Sequence, residues 1–176
     1  MEEKKPEVVR DKRKCGDLWI DIGCGRVCPE GYIGVDLEGW VDGNGKERVD
    51  IIRDIEKNGL PFCDNSAVRI RAYAFLEHID DLRFVMNECW RVLKPDGIFE
   101  GEVPLAGTDG AWRDPTHKRF FVEKTFAFFT GDNRADPSLP SHPKYARYGF
   151  LKWEKIEISR PEGNGRIYFK LKPVKV

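Results

Sequence analysis

The chain has no long hydrophobic run. None of its 176 residues sits in a stretch approaching the roughly 18 apolar positions that a membrane-spanning helix needs. The N-terminus MEEKKPEVVRDKRKCGD lacks the apolar core of a secretory signal. A soluble, cytoplasmic protein with no membrane partner is expected. Net charge is also missing, since 30 Lys+Arg balance 30 Asp+Glu. That balance argues against a broad nucleic-acid-coating surface driven by counterion release. There are no internal repeats and no low-complexity tract. Five cysteines at irregular spacings are too few, and odd in number, for a disulfide framework, so reduced thiols are expected. Cys24 and Cys28 have a metal-like separation, but no second pair completes a zinc site, and no metal is expected. The length fits one domain over 1–176, with any site a cleft inside it.

The zero average conceals an asymmetry. Residues 1–110 carry 16 Lys+Arg against 23 Asp+Glu, whereas residues 111–176 carry 14 against 7. If the second part frames the substrate, an anionic substrate is favoured; the alternative is that the two parts attract each other within the fold.

Apolar runs bounded by turn formers predict a succession of strands. LWIDIG is the first, YIGVDL the second, RVDIIRDI the third and AVRIRAYAFL the fourth. A short helix is predicted over 6–14. From Asp80 the period changes: Leu82, Val85, Met86, Cys89 and Leu93 recur at helical spacing. The KPDG stretch stops this helix, because Pro95 disfavours helix at the residue before it and Gly97 permits a tight turn. IFEGEVPL follows as a fifth strand, parallel by the crossover rule. FLKWEKIEIS and GRIYFKLKPV, joined by RPEGNG, predict a closing hairpin. The expected fold is α/β and Rossmann-like, a mostly parallel sheet with a C-terminal antiparallel hairpin and helices on both faces. Nine residues separate Gly25 from Val35, so the first crossover helix is expected to be shortened or absent.

In an open α/β sheet the ligand lies beyond the carboxyl ends of the strands. The first strand delivers Asp21, Gly23, Cys24 and Gly25, where glycines expose amide donors and the acid can meet a cation or an amide. The second delivers Asp36 and Leu37, the carboxylate being suited to both hydroxyls of a ribose. The third delivers Asp54 and Ile55, an acceptor for an adenine amino hydrogen and an apolar cover for its ring. Three acids at three strand ends suit a nucleoside bearing positive charge better than one bearing phosphates. A dinucleotide site needs G-x-G-x-x-G opening a helix that meets the pyrophosphate, whereas here Cys28 and Pro29 fill that place. S-adenosylmethionine has no phosphate and loses least from the missing helix.

With DIGCG, VDL, the LPF-x-DNS loop, FLEHI and ECWRVLKPDGIF in order, the chain resembles class I S-adenosylmethionine-dependent methyltransferases of the small methyltransferase-type-11 group, over about residues 16–104. The resemblance implies that Asp21, Gly23 and Gly25 line the methionine part, Asp36 the ribose and Asp54 and Ile55 the adenine. It also implies that Ala72 and Tyr73 form the floor near the methyl group. Arg26, the truncated first helix and Arg69 in place of an acid depart from the family pattern.

Methyl transfer mainly requires alignment of nucleophile, methyl and sulfur and the exclusion of water. The family places acceptor contacts after the fifth strand, here a substrate-cap segment at about 106–149. GTDGAWRDPTHKRFF offers Trp112, Arg113 and Arg119 for binding and His117 with Asp114 for proton handling. The plain alternative is that Asp114 caps a turn and His117 merely hydrogen-bonds. His78 is expected to anchor the following helix. The phenylalanines at 120, 121, 126, 128 and 129 are expected to form the minor core of the cap. The leading expectation is an enzyme transferring a methyl group to an O or N nucleophile of a small acceptor, anionic or neutral. A catalytically weak cofactor-binding module acting through a partner is an alternative. A nucleic-acid methyltransferase is a further alternative because of the basic second part, but it ranks below a small-molecule acceptor, since no appended RNA-binding domain or base-flipping motif is present. A nicotinamide oxidoreductase is disfavoured by Cys28-Pro29.

Overall fold

A computed structural model describes residues 15–132 and 146–175. The helix expected over 6–14 and residues 133–145 of the expected cap lie outside the described residues. The strands are β1 (Leu18–Ile22), β2 (Ile33–Asp36), β3 (Ile51–Ile52), β4 (Ala67–Tyr73), β5 (Leu93–Pro104), β6 (Trp153–Ser159) and β7 (Arg166–Pro173). They form a seven-stranded sheet in the order β3-β2-β1-β4-β5-β7-β6. Pairing is parallel from β3 to β5 and antiparallel through β7 and β6. This is the mostly parallel, Rossmann-like sheet with a closing hairpin that the strand pattern implies. No helix connects β1 to β2.

The expected helix is α2 (Leu82–Val92), and its buried residues Leu82, Val85, Met86, Cys89 and Val92 follow the predicted stripe. Asp81 caps it by accepting from the Phe84 amide at 3.0 Å. The KPDG stretch is not a break before β5. It is an irregularity inside the strand, because the pairing with β4 jumps from Ala67 with Leu93 to Arg69 with Ile98. The shorter helices are α1 (Ile55–Asn58), α3 (Asp109–Trp112) and α4 (Ala127–Thr130). No described helix is long and apolar enough to cross a membrane.

Register explains how the two faces of the sheet differ. Ile20, Ile70, Phe99 and Leu171 stand opposite one another across β1, β4, β5 and β7, and all are fully buried. Side chains from α1, α2 and α4 join the same core cluster, as do Phe121, Phe126 and Phe129. Phe121, Phe126 and Phe129 therefore belong to the main core, not to a separate minor one, and Phe128 packs against it, whereas Phe120 is exposed. Phe126 lies 5.2 Å from Phe169 on the sheet.

The next row carries charge of alternating sign, Asp21, Arg71, Glu100, Lys170 and Glu157, across five strands. Opposite charges on directly facing strands attract, which makes this row a ladder. Arg71 also lies over the rings of Tyr32 and Tyr73, 5.6 and 4.3 Å from their centroids, and Arg69 over Trp19 at 5.1 Å. Arg69, where the family has an acid, pairs with Glu100 at 2.8 Å.

One expectation about the cysteines is corrected. Cys15 and Cys63 are joined by a disulfide, with Cα atoms 5.8 Å apart, while Cys24, Cys28 and Cys89 are free. The reason is register: Leu18 pairs with Ala67, so the segments entering β1 and β4 run side by side. Sequence spacing carries no trace of that approach.

Asp21 is 2% exposed, and burial pushes its carboxyl up to about 7, with Arg71 opposing and Asp36 adding to the rise. Arg71 Nε lies 3.2 Å from its oxygen, a charge contact without hydrogen-bond geometry. A folded-state pKa above the usual 3.8 means that the folded protein holds a proton the unfolded chain releases. Stability from this group is therefore complete below about pH 4 and is lost as pH rises towards 7. Asp21→Asn should match the parent near pH 3.5 and exceed it near pH 8, by at most about 4 kcal/mol at 1.36 kcal/mol per pKa unit. Urea unfolding at the two pH values measures it. An equal difference at both would show that Asp21 is not the titrating group.

Candidate functional site

The glycine turn after β1 is held by backbone geometry that other residues resist. Gly23 has φ +64°, and a Cβ placed there would lie 2.2 Å from Phe75 Cδ2. Its amide donates to Val35 O at 2.8 Å. The Gly25 amide donates to Asp36 Oδ2 at 2.8 Å, and the Leu37 amide to Asp36 Oδ1 at 2.7 Å. One carboxylate thus ties the first turn to the end of β2. Each of its oxygens keeps a lone pair for a ligand hydroxyl.

Around this turn lies a cavity of about 470 Å³. Its walls include Gly23, Gly25, Asp36, Leu37, Asp54 and Ile55, the ends of β1, β2 and β3. Asp54 caps α1 through the Lys57 amide at 3.1 Å and pairs with Lys57 Nζ at 2.8 Å, which lowers its pKa. Ile55 is buried and presents an apolar wall. Four other expected cofactor residues lie off this cavity. Asp21 is in the charged ladder. Cys24 packs by Gly34, its thiol 3.6 Å from Arg48 O, and burial raises its pKa to about 12. Ala72 is fully buried in β4, and Tyr73 lines a separate cleft with Glu100 and Tyr168. Ala74 and Phe75 reach the cavity instead, because the chain turns at Ala74 with φ +50°. One residue of register at a strand end changes which face a side chain meets.

Trp40, Arg53, Ile79 and Lys118 also line the cavity and were not anticipated. Trp40 is held by a turn in which its carbonyl accepts from the Arg48 amide at 2.9 Å and Asp42 accepts from Asn44 and Lys46. Arg26, the other departure from the family pattern, lies 5.1 Å from the centre of the Trp40 ring. A tryptophan close after VDL was the available signal.

A second cavity, about 910 Å³, adjoins the first, and Ala74 and His78 line both. Arg113, Asp114 and His117 of the expected acceptor residues line it. Trp112 does not; it stacks on Phe120 at 4.0 Å and is exposed. Arg119 turns back to donate from Nε to Ile79 O at 3.1 Å. Asp114 Oδ1 accepts from the Thr116 amide at 2.9 Å and its hydroxyl at 2.7 Å, which lowers the pKa of the acid. His117 Nδ1 donates to Ala111 O at 3.0 Å, leaving the lone pair on Nε2. His78 faces both cavities and contacts Thr116 Oγ1 through Nδ1 at 3.0 Å, where an anchor for α2 was expected. Glu77 was overlooked by sequence reasoning. It is 1% exposed, and burial raises its carboxyl pKa to about 7.

The fold has parallels in known proteins. No curated protein sequence matches the chain. A SAM-dependent methyltransferase from Archaeoglobus fulgidus is similar in structure, with 18% identity and TM-score 0.58 over 89% of this chain and 86% of the other. So is Burkholderia thailandensis 1,6-didemethyltoxoflavin-N1-methyltransferase with bound 1,6-didemethyltoxoflavin and S-adenosylhomocysteine, at 16% identity and TM-score 0.58 over 91% and 72%. The [4+2]-cyclase SpnF is as similar, at 17% identity and TM-score 0.57 over 91% and 76%, so the fold alone leaves the reaction open. Residues 20–100 match the family described as Methyltransferase domain. Over that stretch the chain is similar to the S-adenosylmethionine-dependent methyltransferases of the type 11 group. The cofactor that this likeness implies is S-adenosylmethionine.

The chain's own residues fit that cofactor. The acids and the apolar wall at the first cavity can meet hydroxyls, an amino group and a ring without any phosphate partner. Removing the Asp36 carboxylate should both free the turn amides and delete the ribose acceptor. Asp36→Ala is expected to weaken S-adenosylhomocysteine binding roughly 10- to 100-fold, the worth of one or two charge-assisted hydrogen bonds. Calorimetry with both proteins decides it, and unchanged affinity would remove Asp36 from the cofactor site.

Proposed function

We propose that the protein transfers the methyl group of S-adenosylmethionine to an O or N nucleophile of a small acceptor with an anionic group, bound in the 910 Å³ cavity. The observation that carries this reading is the junction of the two cavities at Ala74 and His78. A nucleophile in the larger one can approach a methyl presented from the smaller, in the alignment that displacement at a sulfonium carbon needs. Arg113 and Arg160 line the acceptor side and have no ion-pair partner among the described residues, which supports recognition of an anionic group. Asp109 and Glu162 lie on the same wall, so a purely anionic acceptor would meet repulsion there. The acceptor therefore carries polar groups of more than one kind.

In this reading Asp54 and Ile55 hold the adenine, Asp36 the ribose, and the amides near Gly23 and Gly25 the methionine end. Residues 106–149 act as the cap. His117 activates the acceptor through Nε2, the nitrogen left with a lone pair. Asp114 holds Thr116, and through it the ring of His78. The second charge-bearing part of the chain supplies Arg113 and Arg160, in keeping with the charge asymmetry of the sequence.

An acceptor screen weighted towards small carboxylates and phosphates, scored by S-adenosylhomocysteine release, is the direct test. With an acceptor in hand, Arg113→Ala and Arg160→Ala should each raise its KM about tenfold, the cost of one charged hydrogen bond, and leave cofactor affinity unchanged. Unaltered KM in both variants would move the acceptor out of this cavity.

A further inference from the structure

We propose that Glu77, His78 and His117 form a binding site for a divalent transition-metal cation where the two cavities meet. One ligating atom from each of the three lies within 4.8 Å of the others. Glu77 is the telling member. Both oxygens of its carboxylate are buried and accept no hydrogen bond. A carboxylate removed from water is costly unless something replaces its solvation. The nearest cationic candidate is His117, whose Nε2 lies 4.0 Å from Glu77 Oε1, beyond hydrogen-bond reach. Arg166, also nearby, is held in an ion pair with Glu102. A cation between Glu77 and the imidazoles would supply the missing partner.

The histidines are prepared for that role. A metal-binding imidazole needs one nitrogen unprotonated and the other held by an acceptor that fixes the ring. His117 Nδ1 donates to Ala111 O at 3.0 Å. Thr116 gives its single hydroxyl hydrogen to Asp114 at 2.7 Å, so towards His78 Nδ1, 3.0 Å away, it can only accept. In both rings Nε2 is then the nitrogen with the lone pair. The rings sit edge to face, with centroids 4.8 Å apart.

The ligands come from distant parts of the chain, yet their approach does not depend on an ion. The amides of Lys118 and Arg119 both donate to Glu77 O, at 2.7 and 3.0 Å. These bonds clamp the 3-10 turn Leu76–His78 against the segment that carries His117. Two ligands about 2.1 Å from a zinc ion at the tetrahedral angle stand roughly 3.4 Å apart, so the 4.0 Å pair needs to close by about half an ångström and no pair, all lying within 4.8 Å, by more than about 1.4 Å, a rotamer adjustment.

Two imidazoles and a carboxylate select a zinc, cobalt or iron type of ion over magnesium or calcium. Three protein ligands beside a 910 Å³ cavity leave coordination positions open, as in catalytic and not structural sites. An oxygen of the acceptor can take such a position. His117 would then activate the acceptor through the metal, which would favour the deprotonated form of a bound hydroxyl, the proton passing to water in the open cavity instead of to the imidazole.

The test uses the full chain, treated with chelator and titrated with cobalt(II) alone, followed by visible absorption, and with zinc(II) alone by calorimetry. One equivalent should bind, with cobalt bands of low coordination number and no thiolate charge-transfer absorption. Glu77→Gln and His117→Ala should each weaken binding at least tenfold, while the Cys24→Ser/Cys28→Ser double variant should bind as the parent does. Circular dichroism establishes that each variant is folded. Should Glu77→Gln not fold, His78→Ala, altered at a half-buried ring, replaces it in the comparison. Failure of the folded parent to bind, equal affinity in the ligand variants, or loss in the cysteine variant would each overturn the proposal. None of these readouts involves cofactor or acceptor, so they fail or succeed independently of the proposed methyl transfer.

Discussion

The smaller cavity of this protein depends on the carboxylate of Asp36 accepting from two backbone amides at once, Gly25 before it and Leu37 after it. In a larger α/β fold a helix following the first glycine turn sets the position of that turn. Here no helix stands between β1 and β2, and a side chain performs the positioning. The bond from the Gly23 amide to Val35 O reinforces it on the backbone side. Such an arrangement suits a ligand recognised by its hydroxyls, amino group and sulfonium charge, and would serve a pyrophosphate poorly, because no helix N-terminus is available to meet it.

The same omission leaves a face of the sheet without a helix between the first two strands, and the sequence responds with charge and aromatic rings. Asp21, Arg71, Glu100, Lys170 and Glu157 alternate in sign across five strands. The guanidinium groups of Arg69 and Arg71 lie over Trp19, Tyr32 and Tyr73, whose rings shield them while their polar edges stay accessible. Arg69, a departure from the family pattern, is explained by this surface. It belongs to a structural solution rather than to the cofactor site.

The two cavities meet because the ends of β4 and β5 are coupled. The Ala74 amide donates to Glu102 O at 3.1 Å, and Glu77 O accepts from Lys118 and Arg119 on the segment that follows β5. The walls of the two cavities are therefore parts of one hydrogen-bonded unit. Small shifts of the 108–119 segment would move His117 relative to Glu77 and alter the acceptor side first.

Hydrophobic periodicity and turn formers were enough to derive the order of strands, the α2 helix, the closing hairpin and the glycine turn, because each rests on neighbours a few residues apart. The strand ends at Gly23, Gly25, Asp36, Asp54 and Ile55 were legible for the same reason. Contacts that depend on register or on chain segments far apart were not. Whether Tyr73 or Ala74 faces the cofactor cavity turns on a single step at a strand end. The Cys15–Cys63 bond follows from the pairing of β1 with β4. Arg119 offers the same charge as Arg113 in the sequence, yet one binds backbone and the other faces the cavity. The sequence by itself determined the fold and the chemistry of the cofactor, since local pattern and residue type carry both. Only the tertiary structure decided that Glu77, His78 and His117 share one place, because their meeting depends on main-chain bonds across some forty residues of intervening chain.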